Sequence, residues 1–136
     1  MSQISIHASQ DSIAVVREFC LQATNDSGLS AEKVYAVLTA VEEAVWNIIE
    51  HSYAANSEGE IICQAESSPQ GLTITLLDHG TPMPPDKIPN KEYLLNTKPG
   101  NLGGMGLFLM YHLMDSVEFD FSTPGVNKLT MTKMNS

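Results

Sequence analysis

Arginine occurs once in this chain of 136 residues, as Arg17, and only seven basic residues stand against sixteen acidic ones, a formal net charge of −9. A nucleic-acid backbone is gripped by clustered lysine and arginine, so this deficit argues against DNA or RNA as a direct partner. It does not argue against a small nucleotide, which backbone amides, a few lysines and a metal can hold whatever the overall charge. An acidic surface also suits a basic protein partner. Cysteine is almost absent: Cys20 and Cys63 lie far apart, without neighbours at metal-ligand spacing, and are expected to be reduced, half-buried thiols without a role. No apolar run approaches the length of a membrane span. The start, Met1-Ser-Gln-Ile-Ser5, lacks the basic and apolar regions of a signal peptide, so the cytoplasm is the expected address.

What is present describes a small folded domain. Apolar residues make up 43% of the chain and charged residues 17%, a balance that supports one core and excludes disorder. A single domain over 1–136 is expected. Gln3-Ile-Ser-Ile-His7 alternates as a short strand, and Ile13, Val16, Phe19, Cys20 and Ala23 recur at helical spacing up to Gly28. Ser30 is a candidate N-cap for a second helix, whose apolar stripe Val34, Leu38, Val41, Val45 and Ile48 predicts an end near Tyr53. Glu60–Glu66 and Leu72–Leu77 read as a hairpin around Ser67-Ser-Pro-Gln-Gly71. Five of the seven prolines, Pro82, Pro84, Pro85, Pro89 and Pro99, then fall between His79 and Leu102, where regular periodicity vanishes. A stretch of that length and composition inside a small domain predicts a functional lid over about 79–102. Gly104–Met114 resumes a helical pattern, and Val117–Phe121 and Lys128–Lys133 form a closing hairpin around Thr123-Pro-Gly125. The expected fold class is α+β: a two-layer sandwich with a mixed, mainly antiparallel sheet and helices on one face.

Three clusters carry candidate chemistry. Glu43 and Asn47 are four residues apart, about 40° round a helix from each other, so a carboxylate and an amide oxygen share one face, with His51 a turn further on. Such a pair can take a proton and help hold magnesium, which prefers oxygen ligands. Taken alone, Glu42, Glu43, Asn47 and Glu50 read as the solvated face of an amphipathic helix. Asp78-His-Gly80 and Gly103-Gly-Met-Gly106 turn that reading toward a nucleotide pocket. Gly80 lets the backbone pass close to a base, and Gly103, Gly104 and Gly106 expose amides and a helix start to phosphate. His7, His79 and His112 read as satisfied histidines. Met105, Met110 and Met114 read as core filler, with Met105 placed to touch a nucleotide as well. Trp46 reads equally as core or partner-facing.

The order Glu-x-x-x-Asn-x-x-x-His, Asp-x-Gly, proline-rich lid and Gly-Gly-x-Gly-Leu resembles the GHKL (Bergerat-fold) ATPase superfamily, and within it the anti-sigma factor serine/threonine kinases. Leu29-Ser-Ala-Glu, Glu50-His-Ser-Tyr53 and His112-Leu-Met-Asp115 extend the likeness over almost the whole chain. The resemblance implies ATP and Mg2+ as cofactors. It implies Glu43 as the general base, Asn47 as the magnesium ligand and Asp78 as the acceptor of the adenine amino group. It also makes Lys87, Lys91 and above all Lys98 candidates to meet phosphate charge, and Thr130 a candidate adenine contact on the last strand. It implies phosphorylation of an anti-anti-sigma (STAS) protein, sequestration of a sigma factor, and a homodimer. Two departures stand out. Pro82 replaces the second glycine often seen in Asp-x-Gly-x-Gly, and the arginine such kinases present to the terminal phosphate has no counterpart in the lid. The alternative reading is therefore an ATP-binding regulatory module that binds its partner without kinase activity.

Overall fold

The structure is a computed structural model and describes residues 1–54, 58–83 and 105–136. Five strands form one sheet: β1 (Ser2–His7), β2 (Glu60–Ser68), β3 (Gly71–Asp78), β4 (Ser116–Asp120) and β5 (Asn127–Met134), in the spatial order β1-β2-β3-β5-β4. The expectation of a mixed sheet is corrected on one point. All four strand pairings among the described residues are antiparallel. Hairpins supply two of the pairings, and the last hairpin lays β5 beside β3 and leaves β4 at the edge.

Period-two alternation then decides which face is covered. Ile61, Cys63 and Ala65 on β2, Leu72, Ile74 and Leu76 on β3, and Leu129 and Met131 on β5 are buried, while the residues between them, including Thr73, Thr75, Thr130 and Thr132, are partly exposed. The helices lie on the buried side: α1 (Ser12–Ala23) packs on β1 and β2, and α2 (Ala31–Asn47) is clasped between α1 and α3 (Met105–Leu113). Cys20 and Cys63 meet in this core. Both are fully buried rather than half-buried, and the Cys20 thiol is pushed above its ordinary range by its hydrogen bond with Cys63 and by burial, which leaves it inert.

The second helix departs from its simple stripe. Ser30 caps it as expected, its hydroxyl accepting from Lys33 N at 3.3 Å. Its buried set is broader than the five-residue stripe and includes Ala36, Val37, Ala40 and Ala44, because α3 covers a flank that a helix lying on a sheet alone would expose. Beyond Asn47 the backbone widens into a π-helical turn, Ile48–Ser52, closed by Tyr53 N donating to Ile48 O at 3.1 Å. Ala54, at φ 49°, then breaks the helical path. The predicted end near Tyr53 is right, but the last turn is wider than an α-helix.

The β2–β3 connection is tighter than the five-residue turn expected. Ser68 pairs with Gly71, leaving Pro69 and Gln70 between them. Gly71 has φ 153°, and a Cβ there would fall 2.1 Å from Lys133 O, so only glycine fits against β5. Asn135 locks the turn from the other side, donating from its side chain to Pro69 O at 2.6 Å and to Ser27 O at 3.0 Å.

Candidate nucleotide-binding site

The buried end of β3 meets the wide end of α2. Asp78 is the last residue of β3, at the position where alternation turns its side chain to the helix side, and it is only 3% exposed. Two donors meet its Oδ1: the backbone N–H of Gly80 at 2.9 Å and the side-chain amide of Asn127 at 2.8 Å. The same Asn127 nitrogen also donates to Gly80 O at 3.0 Å, which fixes the turn. A buried carboxylate is tolerated when hydrogen-bonded. Both bonds run to one oxygen, and among the described residues Oδ2 has no partner, which leaves it to accept from a donor such as an exocyclic amino group.

The turn after Asp78 is joined to the end of α2. Ser52 O accepts from Thr81 N at 2.7 Å, and a Cβ on Gly80 would lie 2.3 Å from that same carbonyl oxygen. The demand for glycine at position 80 is thus internal, set by the π turn. Tyr53 Oη donates to Glu60 O at 2.6 Å and accepts from His79 N at 2.8 Å. Burial, ahead of the smaller effects of its neighbours, holds the Tyr53 phenol above its ordinary value and so keeps it protonated. His79 Nδ1 sits 3.0 Å from Gly125 O, linking the turn to the β4–β5 loop.

Glu43 and Asn47 stand one turn apart on α2, partly exposed at the margin of its buried face, beside Ala44 and Ile48. Among the described residues neither side chain makes a hydrogen bond, whereas the adjacent Glu42 is taken up by Arg17 at 2.8 Å. That ion pair raises the Arg17 pKa through its hydrogen bond and charge, and commits the only arginine to the α1–α2 surface. His51 is exposed within the π turn, displaced from the regular α-helical spacing that would align it with Asn47. Trp46 is 38% exposed, facing outward beside Asn47.

The remaining sequence-predicted residues divide into three groups. Lys87, Lys91, Lys98, Gly103 and Gly104 lie outside the described residues, as does most of the predicted lid. Met105 and Gly106 open α3, so the described helix begins within the glycine cluster. Thr130 is corrected: it pairs with Thr75 and Glu118 on the sheet face away from Asp78. A shift of one residue along a strand changes the face. Asn127 was missed, and the register shows why it matters, since it stands directly opposite Asp78. An amide side chain at the first position of the last strand was the available signal. Ser52 acts through its carbonyl, which no side-chain pattern announces.

Residues 6–133 match the family model described as histidine kinase-like ATPase domain. The chain belongs to that family. Its place within it is among the anti-sigma factor serine kinases, to judge by the curated relatives. It is 29% identical over 122 residues to serine-protein kinase RsbW of Oceanobacillus iheyensis, covering 87% of this chain and 77% of that one. It is 30% identical over 103 residues to the anti-sigma F factor of Bacillus subtilis, covering 75% and 70%. Among solved structures it resembles the crystal structure of the RsbU and RsbW domains of Rv1364c from Mycobacterium tuberculosis, with a TM-score of 0.61 and 14% identity. That match covers 98% of this chain and 33% of the other, and it shows the fold alone. ATP is the nucleotide the family implies, and the half-engaged carboxylate of Asp78 fits it. No helix among the described residues is long and apolar enough to cross a membrane.

Proposed function

We propose that the protein is an ATP-dependent serine/threonine protein kinase and anti-sigma factor, acting in the cytoplasm as a homodimer on an anti-anti-sigma (STAS) protein and sequestering a sigma factor. The carrying observation is the Glu43–Asn47 pair, without a hydrogen bond among the described residues and set on a helix whose end is hydrogen-bonded to the turn that follows Asp78. In this reading Asp78 accepts the adenine amino group, with Gly80 and Asn127 holding its carboxylate in place. Asn47 offers its amide oxygen to Mg2+, which supplies charge neutralisation at the phosphates. Glu43 orients the substrate hydroxyl and takes its proton, and its position at the edge of the buried face leaves it open to an incoming protein. Gly103, Gly104, Met105 and Gly106 border the phosphates, and Lys98 in the lid, spanning about 79–102 of a single 1–136 domain, meets their charge. The names of the curated relatives, serine-protein kinase and anti-sigma F factor, support both halves of the function.

Incubation with ATP, Mg2+ and the cognate STAS protein tests the kinase. Phosphate transfer to a serine or threonine is expected, with Glu43→Ala lowering the rate at least 100-fold while ATP binding persists. No transfer by the intact protein would overturn it. One observation favours the second reading, a nucleotide-binding regulator without kinase activity: the only arginine is committed to Glu42, so the terminal phosphate must rely on lysine, a point charge without the planar fork. Tight ATP binding without transfer, and partner binding unchanged by Glu43→Ala, is the signature of that reading.

A further inference from the structure

The hydroxyl of Tyr53 occupies the place of one more rung in the β2–β3 ladder. The last register pair is Ile61 with Asp78, so Glu60 and His79 would come next. They do not bond to each other. Glu60 O accepts from Tyr53 Oη at 2.6 Å, and His79 N donates to that same oxygen at 2.8 Å. An oxygen inserted between a backbone donor and acceptor holds them further apart than a direct bond of about 2.9 Å would. The chain leaving β3 is therefore turned out of the sheet at the residue after Asp78. Ser52 secures the next step by accepting from Thr81 N. Gly59 leaves room for the tyrosine ring: a Cβ there would fall 2.5 Å from Cδ1.

We propose that Tyr53 is a positioning residue for nucleotide binding, its hydroxyl setting the exit of β3 so that the Asp78 carboxylate and the Asn47 amide face one ligand. This rests on the reading of Asp78 as the adenine acceptor. Tyr53 touches neither nucleotide nor substrate. It is one residue beyond the π turn that begins after Asn47, and it is bonded to the residue that follows Asp78, so it spans the gap between the metal end and the base end of the site. Phenylalanine would keep the ring and its packing while freeing the His79 N–H and the Glu60 carbonyl. The base end would then loosen, and the phosphate end, built on α2 and the start of α3, would not.

Calorimetry on the full chain with Mg2+ separates these effects, with ATP and inorganic tripolyphosphate as ligands. Tyr53→Phe is expected to raise the Kd and KM for ATP about tenfold, with tripolyphosphate binding and kcat at saturating ATP held within about twofold. Gly59→Ala, which displaces the ring but keeps the hydroxyl, should reproduce the loss. An equal weakening of both ligands would make Tyr53 a merely structural residue and overturn the proposal. Unchanged ATP binding in Tyr53→Phe, alongside its loss in Asp78→Asn, would overturn the proposal alone. A wild-type chain that binds ATP no better than tripolyphosphate would overturn the adenine reading, and the role of Tyr53 with it.

Discussion

At the scale of single residues, the site is organised by backbone groups and amides more than by the charged side chains that attract the eye. The proposed role of Asp78 rests on Gly80 N and Asn127 holding one of its oxygens while no described residue takes the other. Glu43 and Asn47 are useful because Arg17 neutralises Glu42 instead of Glu43, and because no described neighbour occupies the Asn47 amide. A sharp contrast follows between two residues of the same strand. Asn127→Ala leaves a buried carboxylate short of one donor, worth about 1.5–3 kcal/mol, and should weaken ATP binding by roughly 10- to 100-fold. Thr130→Val, on the opposite face, should leave it unchanged. Titration of both variants with ATP checks this, and an equal effect of the two would refute the placement. The sequence made Glu43, Asn47 and Asp78 legible as candidates because the proposed chemistry depends on side-chain type and spacing. It misassigned Thr130 because sheet register, not residue type, decides which face a side chain occupies.

At the scale of elements, the decisive join lies between the end of α2 and the end of β3. A regular α-helix would have carried His51 below Asn47. The π turn instead ends in Ser52 and Tyr53, whose carbonyl and hydroxyl grip Thr81 and His79. Wide helical turns often mark functional positions, and this one joins α2 to the turn that follows Asp78. The β2–β3 turn shows the opposite, purely structural economy. Gly71 sits where any side chain would strike the carbonyl of Lys133, and its φ of 153° adds to the demand. Gly71→Ala should destabilise the domain by about 1–3 kcal/mol, read as a lower denaturant midpoint with an unchanged slope. A midpoint equal to wild type would show that β5 yields at this end. Strand and helix positions were legible because periods of 2 and 3.6 are written in the apolar pattern. The π turn was not, because one extra residue in a helical turn leaves no mark in that pattern.

At the scale of the whole molecule, the proposed site depends on distant parts of the chain converging: the π turn at Ser52, the turn after Asp78 on β3, and β5 at Asn127. A ligand that binds this convergence binds the folded state and not the unfolded one. ATP with Mg2+ at about 100 times its Kd should therefore add about 2.7 kcal/mol of stability, raising Tm by roughly 10 °C for a domain of this size. The Asp78→Asn variant should show little of that gain. A wild-type Tm that does not move in saturating ATP would contradict the site. By itself the sequence determined the element order and the sandwich of helices on a sheet, and it nominated the residues to which the proposed acid–base, metal and adenine roles are given. Composition, spacing and side-chain type are local properties that a chain carries before it folds. Only the tertiary structure decided that the sheet is antiparallel throughout its described strands, that Asn127 rather than Thr130 shares a face with Asp78, and that Tyr53 takes the place of a ladder rung. Each of these depends on register between segments tens of residues apart, and register is settled by packing and by the pairing of buried polar groups once the strands meet.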